Sequence, residues 1–448
     1  MNRSVLIVTP FFAPQSHAAV FRAYKLAKYL PRLGWKPYVV TTDVNYLYNE
    51  DPSLAEALPE EVEVVRARYV EPSLRGLRMA LGGRDRTFKA MKEAGEFAAA
   101  KEAGSVVDPG MLQRIYRYCS ERWLRNPDAY WTWRRPALRA AKRLIARHDI
   151  PIVLTSSDPY TCHIIGRGLQ RRGCKWVADL RDPHVYNHAT SSRRAAVFAR
   201  QRAAERAAAL WADAVTTAAS AIGMILTDMY GVRDTRRIRF IPTGLDEELL
   251  PPEGAAPPRE GRYVVFSGEY LPEYGGEFLE IFAAATAEGA AGEGVKLLFA
   301  GRREVNEPRV RPHVEQLGIG DKVEFVDHVP QEELYSLLRG AEAALLVSSR
   351  LYRWWCLHAK LVDYIALRIP VLAVVPDPSE ARTHLTRAGL GVFLDGDREA
   401  CARRLSDFLE GRMQMPPPDE AECERFTARR QAEAFAGLFE EVLAAGKP

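Results

Sequence analysis

Short apolar runs recur along the chain, and each is followed by a loop and then by a segment with helical spacing of its apolar residues. The first runs lie at residues 5–8 and 38–42, and Gly34 ends the helix predicted near residues 18–30. Strands that are buried on both faces read as continuous apolar runs, as these do. The pattern therefore predicts a βαβ unit, the opening of a parallel sheet covered by helices.

The same alternation continues to the end of the chain. Further strands are predicted at residues 62–65, 152–155, 175–178, 214–217 and 239–241, with helices at 137–147, 162–172 and 193–209. After a Pro/Gly-rich stretch the pattern restarts, with strands at 262–267, 296–300, 323–326, 343–347 and 370–374 and helices at 277–287, 310–316, 331–338, 358–367, 378–388 and 398–410.

We therefore predict an α/β fold of two Rossmann-like domains facing a cleft. The predicted limits are 1–248 for the first domain, 249–260 for a linker, 261–418 for the second domain, and 419–448 for a tail that is helical throughout. A length of 448 residues suits two such domains.

Composition and charge narrow the class of protein. The chain is 47% apolar and 27% charged, as globular proteins are, and its formal charge of +4 is too small to imply a nucleic-acid partner. The apolar run that Pro10 closes is too short for a secretory signal, and no run of about 18 apolar residues occurs. Six cysteines without a Cys-x-x-Cys pair suggest reduced thiols. We expect a cytoplasmic protein, with peripheral attachment to the inner membrane face left open.

Residues 66–126 interrupt the alternation with basic residues set among apolar and aromatic ones, for example Arg78, Lys89 and Trp123. Such a basic amphipathic insertion can lie on anionic lipid or bind an anionic acceptor. The alternative is a solvated helical excursion that covers the first sheet.

Candidate chemistry is expected in the loops after the strands, because the carboxyl ends of parallel strands and the helix N-termini beside them form phosphate sites. On the helix at 358–367, Lys360 and Asp363 are three residues apart and share a face. A lysine suits a diphosphate, and a carboxylate suits a ribose diol. The alternative is a solvated surface pair.

Four further loops carry polar residues at such strand ends. The loop at residues 9–17 leads to His17 and then to Arg22, and the Thr-Ser-Ser-Asp-Pro loop at 155–159 contains Asp158. The Ala-Asp-Leu-Arg-Asp-Pro segment at 178–183 supplies Asp179, Arg181 and Asp182, and the loop that opens the second half supplies Gly268 and Glu269.

These segments, together with Asn-Pro-Asp-Ala-Tyr-Trp-Thr-Trp at 126–133, Ile-Pro-Thr-Gly-Leu-Asp at 241–246, Lys-Leu-Val-Asp-Tyr at 360–364 and Ile-Pro-Val-Leu-Ala at 369–373, occur in a shared order. In this order the chain resembles bacterial GT-B glycosyltransferases close to family 4, in particular those of exopolysaccharide and capsule assembly. The resemblance spans nearly the whole chain and is weakest at residues 66–126.

The resemblance implies a retaining, metal-independent transferase of the hexosyltransferase type, without a tightly bound cofactor. Its second domain would bind a UDP- or GDP-sugar, its first domain would present a sugar, lipid-linked or other acceptor, and its tail would pack back on the first domain. Lys360 would contact the donor diphosphate, and Asp363 takes the position of the family's ribose-binding glutamate.

Three departures from the family pattern stand out. Asp363 is one methylene shorter than the family's glutamate, Trp355 replaces an earlier glutamate, and Gly268 and Glu269 replace an Arg and a Lys. Sugar contacts would then come from His358 or from backbone amides at the helix start, around Leu361. Arg302 and Arg303 are the proposed substitutes on the diphosphate, with unliganded loop arginines as the alternative.

In the first domain, His17 would contact the donor sugar or the acceptor, with helix capping or packing as the alternative. Asp158, Asp179, Arg181 and Asp182 would orient the acceptor hydroxyl. The alternative is that Asp179 and Arg181 form a fixed buried ion pair.

Trp131 and Trp133 are expected to pack in the structure and not to form a sugar platform. Two other kinds of protein stay open: a catalytically silent nucleotide-binding subunit, and a GT-B epimerase or phosphorylase.

Overall fold

Two parallel sheets carry the fold, one in each of the two compact units into which the chain divides. The computed structural model describes residues 2–43, 50–73, 76, 127–187, 191–192, 194–252, 258–287, 293–348 and 354–445. The first unit is Met1–Ile241 with Ala432–Pro448, and the second is Pro242–Gln431. Most of the basic insertion, and residues 253–257 of the predicted linker, lie outside the described residues. The predictions for them stay predictions.

In the part of the chain that the structure describes, the sheet of the first unit has seven parallel strands in the order β3-β2-β1-β4-β5-β6-β7. Its strands are β1 (Ser4–Val8), β2 (Lys36–Thr42), β3 (Glu63–Ala67), β4 (Ile152–Ser157), β5 (Lys175–Leu180), β6 (Ala214–Thr217) and β7 (Ile238–Phe240). Its helices are α1 (Ala18–Tyr29), α2 (Arg134–His148), α3 (Thr161–Gln170), α4 (Ala195–Trp211) and α5 (Ser220–Tyr230), with a one-turn helix at Ser53–Glu56.

The described residues of the second unit form a sheet of six parallel strands in the order β10-β9-β8-β11-β12-β13. These are β8 (Arg262–Ser267), β9 (Val295–Ala300), β10 (Val323–Val326), β11 (Ala343–Val347), β12 (Val371–Val374) and β13 (Gly391–Phe393). The helices of this part of the chain are α6 (Glu277–Ala285), α7 (Arg303–Leu317), α8 (Gln331–Arg339), α9 (Ala359–Ala366), α10 (Glu380–Ala388), α11 (Arg398–Leu409) and α12 (Glu420–Glu424), and the last helix, α13 (Ala428–Ala444), runs from the second unit into the first.

Both faces of the second sheet are buried, which explains why its strands read as unbroken apolar runs. Along β8, Val264 and Phe266 belong to one apolar cluster, and Tyr263 and Val265 belong to the cluster on the opposite face. Alternate residues of a strand point to opposite faces, so the positions from Tyr263 to Phe266 alternate between the two cores. The predicted α/β class with parallel sheets is confirmed.

Several elements differ from those expected. Helix α5 and strand β13 were not predicted, and α7 begins at Arg303 instead of residue 310 although it contains Pro308 and Pro312. Proline normally ends a helix because it lacks the N–H and its ring crowds the preceding turn. In α7 the buried side chains of Val310 and Val314 anchor the helix to the core beyond each proline. Tertiary packing here overrides the local preference.

The tail is not helical throughout, because its chain is interrupted between α12 and α13. There Leu245 N–H donates to Phe426 O at 2.7 Å, and Ala428 N–H donates to Leu245 O at 2.7 Å. A Cβ on Gly244 would lie 2.1 Å from the Thr427 carbonyl carbon, so only glycine permits this approach. These strand-like hydrogen bonds take backbone groups that a continuous helix would need.

From Ala432 onward, α13 belongs to the first unit and packs there through aromatic side chains. The ring centroids of Phe439 and Trp35 are 5.2 Å apart, and the Arg22 guanidinium lies 5.4 Å from the Phe435 ring centroid. Arg3 and Glu440 form an ion pair at 2.8 Å. Among the described helices, none has the length and apolar character needed to cross a membrane.

Candidate functional site

A buried lysine amine lies at the carboxyl end of the central strand of the second sheet. The Lys360 Nζ is 3.5 Å from the centroid of the Phe266 ring, and it has no hydrogen-bond partner among the described residues. Burial lowers the pKa of Lys360 to about 7. An amine held this way lacks the anion that would normally accompany it. The solvated surface pair with Asp363, considered above as the alternative, is therefore wrong.

The position of Lys360 follows from how α9 is attached to β8. The Tyr364 hydroxyl, one turn beyond Lys360, lies 2.9 Å from Ser267 Oγ and accepts from Ser267 N–H at 3.2 Å. Leu361 and Ile365 are fully buried against the sheet. Lys360 is on the same edge of α9 as Tyr364, so its side chain extends over Phe266 toward Gly268.

The loop after β8 is shaped to bring backbone close to the amine. Gly268 has φ +93°, and a Cβ there would lie 3.7 Å from Lys360 Nζ. Asn306 fixes this loop, because its Nδ2 donates to Gly268 O at 2.8 Å while its Oδ1 accepts from Tyr270 N–H at 2.8 Å. Gly301 passes so close that a Cβ on it would be 2.5 Å from Gly268 O. Two glycine backbones and one lysine amine therefore surround the same point.

The arginines expected to bind a diphosphate are paired with carboxylates. Arg302 contacts Glu269 at 2.5 Å and Arg303 contacts Glu307 at 2.7 Å. Arg309, which was not predicted, also bonds Glu269, at 2.8 Å. Burial opposes ionisation of Glu269, but its hydrogen bonds from Arg309 and Arg302 hold the pKa of the carboxyl below its usual range. A diphosphate would have to compete with Glu269 for Arg302.

The other predicted donor-site residues have defined partners. The Tyr335 hydroxyl donates to Asp363 Oδ1 at 3.4 Å, and His358 Nε2 lies 2.9 Å from Ser348 Oγ at the end of β11. His358 stands at the N-cap of α9, so this contact joins the helix start to the strand end. The Leu361 side chain belongs to the apolar core, and Trp355 is buried.

In the first unit, Asp179 is the acceptor of a buried polar network. Arg22 Nη2 donates to Asp179 Oδ1 at 2.7 Å and Arg22 Nε donates to Oδ2 at 2.9 Å, while Ser156 and Thr216 donate to the same carboxylate. Burial alone would raise the pKa of Asp179, but Arg22 and the hydroxyl groups hold it below the usual range. The ion pair of Asp179 with Arg181, considered above as the alternative, is wrong, because Arg22 is the partner.

Arg181 instead binds backbone carbonyls. It donates to Ala19 O and Asp158 O, each at 2.7 Å, and also to Ser157 O. It therefore ties the start of α1 to the loop after β4. A guanidinium whose donors are directed at carbonyls has fewer left for a substrate.

His17 caps the first helix, as the alternative reading allowed. Its Nδ1 accepts from Ala19 N–H at 3.3 Å, and Nε2 lies 3.4 Å from Gln15 Oε1. Burial, assisted by Arg181, lowers the pKa of His17 to about 4, so the imidazole is neutral at pH 7.

Asp158 lies beside a histidine that was not predicted. Its Oδ1 is 3.3 Å from His184 Nδ1. Burial alone would lower the pKa of His184, but Asp158, with Glu205 and Asp128, raises it above the ordinary value. The Asp182 backbone carbonyl accepts from the Tyr160 hydroxyl at 3.2 Å. Trp133 is fully buried and Trp131 is 38% exposed, so only Trp133 packs entirely within the structure.

Besides His184 in the first unit, sequence reasoning missed four positions in the second unit: Ser267, Asn306, Arg309 and Tyr364. Each acts through a partner that is far away in sequence; Ser267 and Tyr364, for example, are separated by 97 positions. The sequence features that pointed to this site were the apolar strand that ends just before Gly268 and the helix face that carries Lys360. Among the described residues, no three His, Cys, Asp or Glu side chains gather as metal ligands would.

Comparison with known proteins shows which fold these sheets form. No protein-family model and no curated protein matches the sequence. Among solved structures, a sucrose-phosphate synthase from Thermosynechococcus elongatus is similar at 15% identity and a TM-score of 0.57, over 99% of this chain and 100% of that one. An Anabaena protein, HepE, in complex with UDP and glucose, is similar at 13% identity and 0.54, over 98% and 99%.

A third similar structure is a putative UDP-N-acetylglucosamine 2-epimerase from Listeria monocytogenes, with 10% identity and a TM-score of 0.55 over 100% of this chain and 98% of that chain. At such identities the likeness concerns the fold. The chain has the GT-B fold. The predicted fold of two Rossmann-like domains is confirmed.

Replacing Arg22 by Met should strongly destabilise the protein, because it leaves the Asp179 carboxylate buried without its cation. We expect a loss of about 3–5 kcal/mol in the free energy of unfolding, measured by urea unfolding. The double replacement Arg22→Met with Asp179→Asn removes the stranded charge and should recover part of the loss. Equal stability of the single variant and the unmodified protein would contradict the assignment.

Nucleotide diphosphate binding should weaken as the pH rises above about 7, because the amine of Lys360 must then take up a proton to meet the anion. Linkage gives a loss of up to about tenfold in affinity per pH unit between about pH 7 and about pH 9, where the phosphate charge of UDP or GDP is constant. Calorimetric titration in two buffers of different ionisation enthalpy measures the proton uptake. Lys360→Met should show neither effect, and an unchanged pH profile in that variant would exclude Lys360 as the source.

Proposed function

We propose that this protein is a glycosyltransferase that moves a sugar from a nucleotide-sugar to an acceptor hydroxyl. The observation that carries the proposal is the Lys360 amine, buried beside Gly268 without an anion among the described residues. The negative charge of a diphosphate would balance the positive charge of the protonated Lys360 amine. The backbone at Gly268 and Gly301, which lacks side chains, leaves room for phosphate oxygens. HepE, which shares the fold, was solved with UDP and glucose.

The donor contacts follow from this placement. Lys360 would meet the diphosphate, and Asp363, on the same helix and bonded by Tyr335, would accept the ribose hydroxyls. His358, at the N-cap of α9, and the backbone of Gly268 would face the sugar. Arg302 would join the diphosphate only by exchanging its bond to Glu269 for one to a phosphate oxygen.

The proposed chemistry is electrostatic. As the bond from the sugar to the diphosphate breaks, negative charge grows on the leaving phosphate, and an ammonium already in position stabilises it without reorganising. We propose a retaining course without a metal ion, in which the acceptor hydroxyl attacks from the face that the phosphate leaves. The leaving phosphate would take the hydroxyl proton. Uridine and guanosine donors both fit this scheme.

On the acceptor side, three of the predicted residues already have structural partners: Asp179, Arg181 and His17. The candidates for binding the acceptor are therefore Asp158 and Asp182. Asp158 lies next to His184, whose raised pKa makes a charged imidazole more accessible near neutral pH. We propose that Asp158 with His184 orients the acceptor hydroxyl. We propose that the acceptor belongs to polysaccharide or glycoconjugate assembly and that the protein acts in the cytoplasm.

A nucleotide-sugar epimerase is the second candidate, because the fold is also similar to that of a putative UDP-N-acetylglucosamine 2-epimerase. A catalytically silent nucleotide-binding subunit is a third candidate, because Arg302 is already paired with Glu269 and is not available to a diphosphate until that pair breaks. The two are separated from a transferase by their products. A transferase releases UDP or GDP only when an acceptor is present, an epimerase changes the sugar without one, and a silent subunit does neither.

Replacing Lys360 by Ala should lower turnover about 100-fold or more, because one preorganised charge contact to the leaving group is lost. The measurement is release of nucleoside diphosphate from a panel of UDP- and GDP-sugars with an acceptor extract. The matched control is Lys296→Ala, which removes a partly exposed lysine from the same unit. Near-normal turnover in the Lys360 variant would exclude the proposed donor site.

A further inference from the structure

Four arginines line one pocket on the helical layer of the first unit. The pocket has a volume of about 530 Å³ and lies among α2, α3 and α4. We call it the arginine pocket; its arginines are Arg134, Arg167, Arg171 and Arg200. The size is within the range of about 300–1,000 Å³ typical of small-molecule sites.

The charge of the arginine pocket is not neutralised by its own helices. Helices α2 and α3 contain no aspartate or glutamate, and α4 contains only Glu205. Glu205 is fully buried and accepts from the hydroxyls of Tyr160 and Tyr230 at 2.7 and 2.8 Å. Among the described residues, Arg134, Arg171 and Arg200 form no ion pair. The charge of Asp213, which follows α4, does act on Arg167, but one nearby carboxylate does not balance four arginines. An excess of like charge destabilises a fold, so the arrangement needs another reason.

One arginine is held in place before any ligand arrives. The Arg167 guanidinium stacks on the Trp211 ring, 4.4 Å from its centroid, and its Nη1 donates to Gln170 Oε1 at 2.7 Å. The Arg167 Nε has no hydrogen-bond partner among the described residues. Burial and the charge of Arg171 lower the pKa of Arg167. A guanidinium that is already immobilised loses little further entropy when it binds an anion.

A buried histidine adds an unsatisfied polar atom to the pocket lining. His163 is 1% exposed, and its Nε2 has no partner among the described residues. Its Nδ1 lies 2.8 Å from Thr155 Oγ1, which itself accepts from Trp176 Nε1 at 2.8 Å. The Thr155 hydroxyl can donate its own hydrogen to Nδ1, and in that tautomer the Nε2–H of His163 is a donor. Burial lowers the pKa of His163 to about 4, so this donor is neutral at pH 7.

The other residues that line the arginine pocket are mostly small, so they do not fill its volume. Gly168 and three alanines of α4, with Ile164 and Pro127, form walls without long side chains. Arg171 follows the carboxyl end of α3, whereas the loop with Asp158 precedes the start of that helix. The arginine pocket is thus distinct from the strand-end loop of the acceptor proposal, and from the Lys360 site, which belongs to the second unit.

We propose that the arginine pocket binds a phosphate-bearing anion, either a soluble one or the headgroup of an anionic lipid. Guanidinium forks match phosphate oxygens and neutralise their charge, and the Nε2–H of His163 supplies a donor on the wall. The volume accommodates more than one phosphate group. This binding does not depend on the proposed transferase activity.

The test compares two double variants that remove the same charge from the same two helices. Arg134→Ala with Arg200→Ala removes two arginines of the pocket, and Arg139→Ala with Arg202→Ala removes exposed arginines outside it. All chains also carry Lys360→Ala, because that amine would itself take a phosphate. The probes are inorganic pyrophosphate, titrated calorimetrically, and sedimented vesicles of phosphatidylcholine with or without phosphatidylglycerol.

We expect the pocket variant to bind at least one probe about tenfold or more weakly than the control variant, the loss anticipated for charged hydrogen bonds. A loss for pyrophosphate alone identifies a soluble ligand, and a loss confined to phosphatidylglycerol vesicles identifies a lipid headgroup. Equal affinities of the two variants, or no binding of either probe by the control, would overturn the proposal. This test measures binding and not turnover, so its failure can be distinguished from a failure of the Lys360→Ala activity assay.

Discussion

The site of the second unit depends on one constraint: the Lys360 amine is held out of water, and no described residue supplies it with an anion. Desolvation penalises the charged form of Lys360, and the face of the Phe266 ring offsets only part of that cost. The amine stays there because Tyr364 and the apolar side of α9 fix the helix against β8. The folding energy of the core thus maintains an electrostatically incomplete site, and an anion that completes it also favours protonation of the amine.

The elements of the sheets could largely be predicted from the sequence, because burial on both faces leaves apolar runs that mark the strands. The location of the candidate site could also be predicted, because the carboxyl ends of parallel strands are where such folds bind ligands. The burial of Lys360 could not be predicted, since it depends on β8 lying next to β11 in the sheet. Helical spacing placed Lys360 and Asp363 on one face, but it could not show that one would meet an aromatic ring and the other a tyrosine hydroxyl.

In the first unit, closeness in sequence misled the prediction. Asp179 and Arg181 are two residues apart, but the carboxylate is bound by Arg22, which is 157 residues away. Asp179 also accepts from Ser156 on β4 and Thr216 on β6, so a single carboxylate joins four elements. Polar residues at strand ends therefore serve two purposes, and only the three-dimensional partners distinguish a residue that fixes a loop from one that is free to meet a substrate.

The final helix has a consequence for how the protein is made. Phe435 and Phe439 complete the packing around Arg22 and Trp35, yet they are synthesised after the entire second unit. While the ribosome is still translating residues 242–431, the nascent first unit lacks this cover and exposes apolar surface that a chaperone could recognise. Termination of translation before Phe435 would therefore leave the first unit without part of its packing, whereas residues 242–431 of the second unit would already be present.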